Sequence, residues 1–94
     1  MYYCTVTIKI EDKEKFWQVF SNQALELRLK HGSKRSIALL AEDESEVTVY
    51  YEWESKEKMD AFFADPKVKE LVAISGTIPP PQIKVFSKLG ELPG

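Results

Sequence analysis

The segment YEWESKEKMDAFFADPKVKEL, from Tyr51 to Leu71, decides the fold of this chain. It joins the end of an aromatic-rich strand to a charged helical pattern, and Ser55 marks the change. Ser55 is a typical N-cap residue, so the helix is expected to begin just after it. Asp65-Pro66 then restarts the helix, because aspartate caps a helix and proline fits its first position. The segment therefore predicts a strand followed by a helix that is broken near Asp65-Pro66.

The rest of the chain supplies the other elements of the fold. Alternating apolar and polar side chains predict strands at residues 2–10, 35–42, 46–53 and 82–89. A period of 3.6 residues predicts a first helix at 12–31, with Asp12 as its N-cap. The order β-α-β-β-α-β is typical of an α+β, ferredoxin-like fold, with a four-stranded antiparallel sheet and both helices on one face. Residues 1–94 make one domain.

Two segments near the C-terminus are predicted to be irregular. Prolines 79, 80 and 81 indicate a stiff extended connector before the last strand. The tail from about residue 90 contains two glycines and a proline and is expected to be loose. On the first helix, Leu25 and Leu29 lie opposite the apolar stripe, and we expect this tail or a second dimer to cover them.

Strand alternation assigns the side chains to the two faces of the sheet. The face toward the helices is expected to carry Val6, Ile8, Ile37, Leu39, Val49, Tyr51, Trp53, Ile83 and Val85. The other face is expected to carry Leu40, Tyr50 and Phe86 among threonines and charged residues. Three such side chains make that face too apolar for a bare solvated surface. The pattern therefore predicts a homodimer that forms through this face.

Composition excludes several classes of protein. The formal net charge is −2, which gives no general attraction to nucleic acid or to anionic lipid. No apolar stretch is long enough to span a membrane. Cys4 is the only cysteine and His31 the only histidine, so a thiolate–imidazole metal site is not expected. Since a single cysteine cannot form an internal disulfide, we expect a cytoplasmic location. There is no Ser/His/Asp set and no glycine-rich phosphate loop.

The sequence YYEWESKEKMDAFFADPKVKEL, followed by a proline-rich link to a last strand, resembles the antibiotic-biosynthesis-monooxygenase-like domains of the dimeric α/β-barrel superfamily. The resemblance covers residues 2–89. Trp53 with Ser55 two residues later, and the Phe62-Phe63 helix that follows, are its most specific elements. It implies a dimer in which two ferredoxin-like sheets pack face to face, in agreement with the apolar second face.

The resemblance also implies a choice of chemistry. Some members are oxygenases that use no metal or flavin and act on electron-rich phenols, where the substrate anion supplies electrons to oxygen. Others degrade haem with an asparagine on the first strand and a tryptophan and a histidine on the second helix. Here the first strand has no asparagine, and Phe62 and Val72 stand at the two helix positions. We therefore expect no haem, metal or flavin cofactor, and a hydrophobic phenolic or quinone-type metabolite as substrate.

The candidate site residues each have two interpretations. Trp53, Tyr51, Trp17, Phe20 and Phe62 either wall a substrate pocket, where the indole of Trp53 could donate to a quinone oxygen, or fill the core. The same choice separates an oxygenase from a non-catalytic dimeric barrel that binds a small molecule or serves as an interaction module.

His31 is the candidate general base, since it is the only side chain that titrates near neutrality without help. The alternative for His31 is a hydrogen bond, or an interaction with the helix dipole at the end of the first helix.

Overall fold

The computed structural model of the chain describes residues 1–94. A four-stranded antiparallel sheet in the order β2-β3-β1-β4 carries four short helices. The elements are β1 (Tyr2–Ile10), α1 (Lys13–Phe20), α2 (Gln23–Lys30), β2 (Ser33–Leu40), β3 (Glu46–Trp53), α3 (Lys56–Ala64), α4 (Pro66–Ile74) and β4 (Thr77–Phe86). The ferredoxin-like fold is confirmed, and both predicted helices are divided into two.

The caps that the sequence predicted are present. The side chain of Asp12 accepts a hydrogen bond from the backbone N–H of Glu14 at the start of α1. Ser55 accepts from the N–H of Lys58 at the start of α3. Asp65 ends α3 and caps α4, where Pro66 takes the first position. The break near Asp65-Pro66 is therefore confirmed.

The single first helix predicted at 12–31 is wrong, because it is interrupted between α1 and α2. The hydroxyl of Ser21 donates to the carbonyl of Trp17 over 2.7 Å, and the amide of Asn22 donates to the carbonyl of Gln18 over 2.7 Å. Short polar side chains that bond nearby carbonyls offer the backbone an alternative to continued helix. The backbone of Asn22 is no longer helical, with φ −117° and ψ −96°.

The predicted side-chain alternation of β2 is also wrong. A register shift between Ser33 and Arg35 pairs Ile37 with Tyr50 and Leu39 with Thr48. Directly paired residues share a face, and a bulge reverses the parity of a strand. Ile37 and Leu39 therefore lie on the outer face of the sheet.

The same shift places Leu40, which was predicted on the outer face, on the side of the helices opposite Val47. Tyr50 and Phe86 lie on the outer face as predicted, opposite Thr5 and Tyr3 of β1. The outer face therefore keeps its apolar character, but Ile37 and Leu39 provide it in place of Leu40.

The proline segment belongs to β4 rather than to a separate connector. The strand begins at Thr77 and ends at Phe86, instead of spanning 82–89. It is an edge strand, and an edge strand tolerates residues that cannot donate a backbone hydrogen bond. Beyond it, the side chains of Leu89 and Leu92 are exposed, so the tail does not cover Leu25 and Leu29, which are exposed as well.

The core lies between the sheet and the helices, and Trp53 is its largest buried side chain. Trp53 and Cys4 are both 0% exposed, and the indole N–H of Trp53 donates to Sγ of Cys4 over 3.3 Å. The Trp53 ring packs against the rings of Tyr51 and Phe62, with centroid distances of 5.3 and 5.0 Å. These contacts fix the end of β3 against α3.

We expect the two tryptophans to differ sharply in their effect on stability. Trp53→Ala should lower the free energy of unfolding by about 3–5 kcal/mol, because it empties a fully buried site. Trp17 is 55% exposed and touches mainly Phe20, so Trp17→Ala should cost about 1 kcal/mol. Urea unfolding of both variants measures the difference, and equal losses would contradict the assignment of Trp53 to the core.

The contact between His31 and Asp65 joins α2 to the junction of α3 and α4. Nε2 of His31 lies 2.8 Å from Oδ2 of Asp65, while Oδ1 of Asp65 accepts from the N–H of Lys67. The hydrogen bond from His31, followed by that from Lys67, lowers the pKa of Asp65 from its ordinary value of 3.8. A carboxylate with a lowered folded-state pKa adds stability above its ordinary pKa and loses it as the pH falls through the lower value.

Asp65→Asn keeps a capping side chain but removes the charge beside His31. We expect the variant to melt about 5 °C below the parent at neutral pH. The gap should narrow as the pH falls below 3.8 and close as it passes through the lowered pKa of Asp65, because the parent carboxylate becomes protonated there as well. Thermal melts across this range test the expectation, and His31→Gln provides the control background in which the gap should already be small. A gap that is constant down to strongly acidic pH would contradict it.

Candidate functional site

A cavity of about 150 Å³ lies between the helices and the sheet. Fifteen of its nineteen lining residues are hydrophobic, which makes it an apolar chamber rather than a polar cleft. Val72 of α4 and Ile83 of β4 line it and are themselves exposed, so the cavity reaches the surface between these two elements. A concave, mostly apolar chamber with a few polar groups is the usual form of a small-molecule site.

The structure brings three of the six predicted site residues to this cavity. Phe20 reaches it from α1, Tyr51 from β3 and Phe62 from α3. Trp17 does not line it; this half-exposed ring lines a second, more open groove between α1 and the sheet, together with Leu40 and Val47.

Trp53 does not line the cavity either. Its ring is fully enclosed behind Tyr51 and Phe62, and its N–H is already bonded to Cys4. Burial raises the pKa of the Cys4 thiol, so this sulfur is a neutral acceptor at neutral pH. The indole therefore has no free donor for a quinone oxygen, and its contacts are those of a core residue.

His31 is separated from the cavity as well. It contacts the ring of Phe62 edge-on, with centroids 5.9 Å apart, and Phe62 lines the cavity while His31 does not. Its Nε2 is bound to Asp65. This arrangement matches the hydrogen-bond alternative for His31.

Four lining residues carry polar side chains, and two of them have no free donor. The hydroxyls of Ser75 and Thr77 both donate to the carbonyl of Val72, over 2.8 and 3.1 Å. The hydroxyl of Tyr51 makes no hydrogen bond within the protein, and burial raises its pKa, so it stays protonated at neutral pH. Tyr51 therefore offers the cavity a hydrogen-bond donor.

Arg28 of α2 is the fourth polar lining residue, and the sequence analysis did not single it out. It is only 4% exposed, and its guanidinium carbon lies 3.8 Å from the centroid of the Phe20 ring. One of its nitrogens donates to the carbonyl of Phe20 over 2.9 Å. The signal in the sequence is its spacing, since it follows Phe20 and Ala24 at intervals of four on the same helical stripe.

No group of three histidine, cysteine, aspartate or glutamate side chains is placed to hold a metal ion. No helix is long and apolar enough to cross a membrane.

Comparisons with known proteins link this architecture to solved structures. No family model and no curated protein matches the sequence. SnoaB, a cofactor-independent oxygenase from Streptomyces nogalater, matches with a TM-score of 0.80 and 14% identity, over 99% of this chain and 97% of SnoaB. ActVA-Orf6 of Streptomyces coelicolor, a monooxygenase solved with the ligand Nanaomycin D, matches with a TM-score of 0.74 and 20% identity, over 99% of this chain and 91% of its own.

A third structure, an antibiotic biosynthesis monooxygenase, has a TM-score of 0.67 and 14% identity, over 96% of this chain and 100% of its own. At these identities the likeness concerns the fold. The chain has the fold of the antibiotic-biosynthesis-monooxygenase-like domains, as its sequence predicted.

Proposed function

We propose that this protein is a monooxygenase of the cofactor-independent kind, acting on a hydrophobic phenolic or quinone-type metabolite. The observation that carries the proposal is the apolar cavity, into which only Tyr51 and Arg28 present free polar groups. The fold shared with SnoaB and ActVA-Orf6, described as a cofactor-independent oxygenase and a monooxygenase, supports it.

The cavity suits a reaction in which the substrate is its own reductant. A phenolate supplies the electrons that O₂ takes up. One oxygen atom enters a ring carbon that loses its hydrogen, the other leaves as water, and the phenol becomes a quinone. A dry chamber protects the reactive intermediates of such a step from water. The protonated hydroxyl of Tyr51 would donate to a substrate oxygen and orient the ring.

The size of the cavity limits the substrate. A chamber of about 150 Å³ accommodates one aromatic ring, since an apolar cavity of that size binds benzene in another protein. A polycyclic substrate would insert one ring and leave the others at the opening between Val72 and Ile83. Small phenols with a compact ring are therefore the first compounds to test.

His31 was the general base expected from the sequence. In the structure its Nε2 is bound to Asp65, and it contributes no atom to the lining of the cavity. We therefore assign no proton transfer to His31, and the substrate is taken up as its anion.

A non-catalytic binding protein is the second candidate. It is favoured by the small volume of the cavity, about 150 Å³, between lining rings such as Phe20 and Phe62. The two functions differ in one measurable respect, because an oxygenase consumes O₂ in the presence of its phenol and a binding protein does not.

Filling the cavity tests whether it is the site. Ala24 lines it, so Ala24→Leu should place three additional carbons in the chamber and reduce phenol-dependent O₂ consumption at least tenfold, without lowering Tm. Ala61→Leu is the matched control, since Ala61 is exposed on α3 and the same change there should alter neither quantity. An oxygen electrode with naphthols and hydroquinones measures the rate. Equal rates in the two variants would place the reaction elsewhere.

We also propose a homodimer that forms through the outer face of the sheet. Tyr50, Phe86, Ile37 and Leu39 lie on this face, and Leu39 is 58% exposed in the single chain. The ring of Tyr50 stacks near that of Tyr3, and its hydroxyl donates to Glu52 over 2.8 Å. An interface between stable subunits typically buries on the order of 2,000 Å², and this face offers the apolar centre that such an interface requires.

Leu39→Glu should convert the dimer into monomers at micromolar concentration, because it would bury a charge without a partner. Leu29→Glu is the control, since Leu29 is 64% exposed on the helix layer and the substitution is identical. Light scattering measures the mass of each variant. A monomeric parent protein, or a Leu39→Glu variant that remains a dimer, would disprove this interface.

A further inference from the structure

Arg28 is a buried cation without a carboxylate partner. None of the seven ion pairs of the protein includes it. Charged side chains are seldom fully buried unless they are paired, because removal from water costs free energy. The position of Arg28 therefore requires an explanation beyond the packing of α2.

The contacts of Arg28 hold its guanidinium in place but leave most of its donors free. The guanidinium lies over the ring of Phe20 and bonds the carbonyl of the same residue. That carbonyl is at the end of α1, so this hydrogen bond also serves as a helix cap. A guanidinium has five N–H donors, and Arg28 forms only this one hydrogen bond.

Arg28 lines the cavity, and its free donors are not sealed in the core. No fully enclosed side-chain nitrogen or oxygen of the protein lacks a hydrogen-bond partner, so the guanidinium nitrogens that make no hydrogen bond keep some accessible surface. Tyr51 lines the same cavity, and burial disfavours the charged form of Arg28 and lowers its pKa. The apolar chamber thus contains one cation and one neutral hydroxyl donor.

We infer that Arg28 and Tyr51 form a binding subsite for the ionised oxygen of an aromatic ligand, a phenolate. The inference rests on the proposed function, because it specifies the charge state of the substrate in that same cavity. A guanidinium and a hydroxyl can both donate to one oxyanion, and the apolar walls accept the ring. The ligand then supplies the negatively charged partner that no side chain of the protein provides for Arg28.

This arrangement would prepare the ligand for oxidation. An adjacent cation stabilises a phenolate relative to the phenol and lowers the pKa of the bound ligand. The phenolate is the form that gives electrons to O₂. Arg28 would therefore act as a specificity-determining group that selects acidic phenols over neutral aromatic compounds of the same shape.

The test uses 4-nitrophenol, which titrates near neutrality and whose phenolate absorbs visible light, with nitrobenzene as its neutral counterpart. The parent protein should lower the pKa of bound 4-nitrophenol by about 1. Arg28→Met should abolish that change and weaken phenolate binding about 10- to 100-fold, while nitrobenzene binding stays within a factor of three or so. Spectrophotometric pH titration of the complex and calorimetry give the two quantities.

Arg35→Met is the matched control, because Arg35 is the only other arginine and its side chain is exposed on β2. It should leave both ligands unaffected. Arg28→Lys keeps the positive charge, so it should still lower the pKa of the bound ligand, but by less than the parent does. Circular dichroism shows whether Arg28→Met folds, and Arg28→Lys takes its place in the test if it does not. Tyr51→Phe should weaken phenolate binding by about tenfold.

Three results would overturn the inference. The first is a parent protein that does not bind 4-nitrophenolate. The second is an Arg28→Met variant, or failing that an Arg28→Lys variant, whose bound phenol titrates as in the parent. The third is an equal loss of 4-nitrophenol and nitrobenzene, which is the expected result if Arg28 only caps α1. Phenolate binding through Arg28 without any O₂ consumption would disprove the monooxygenase and leave this subsite standing.

Discussion

The structure depends on the strict alternation of β3. Val47, Val49, Tyr51 and Trp53 all point toward the helices and are all buried, while the residues between them face outward. β3 is paired on both sides, with β1 and with β2, so its register determines which side chains of its neighbours face inward. A shift by one residue would exchange the two faces and expose the core. The helices can pack only on the surface that this strand defines.

The same strand explains why the cavity lies where it does. Its C-terminal end carries the rings of Tyr51 and Trp53, which pack closely with Phe62. Tyr51 and Phe62 line the cavity on this side, and Trp53 lies behind them in the core. The middle of the strand carries Val49, a smaller side chain that lines the cavity, as does Ala24 of α2. The cavity is therefore a consequence of how side-chain volume is distributed along the core.

Local chemistry made much of this predictable. Asp12, Ser55 and Asp65 act as caps because their side chains bond nearby N–H groups whatever the rest of the fold does. The break between α1 and α2 is local as well, but the polar side chains of Ser21 and Asn22 were not read as a helix end. The error in β2 came instead from a feature that depends on distant residues. The bulge at the start of β2 is a property of its pairing with β3, and it reversed the predicted faces of Leu39 and Leu40.

The site was harder to predict than the fold, for the same physical reason. Whether an aromatic ring fills a core or walls a chamber depends on the space beside it, and the sequence does not contain that space. Tyr51 and Trp53 have the same parity on one strand, yet Tyr51 reaches the cavity and Trp53 is fully enclosed in the core. Arg28 was missed because a single arginine on a charged helix is usually solvated. Only the packing of α2 against Phe20 shows that it is buried.

The buried Arg28 carries a free-energy cost that a chain this small could avoid. In a core of twelve buried hydrophobic residues, an apolar side chain of similar volume would avoid the loss of hydration of the guanidinium. One hydrogen bond to the carbonyl of Phe20 and a contact with its ring offset that loss only in part. The folded chain alone therefore leaves part of the desolvation free energy of Arg28 uncompensated, and an anion bound in the cavity would compensate it. In that case the charge of Arg28 is most stable in the complex with the ligand, and ligand binding stabilises the folded protein.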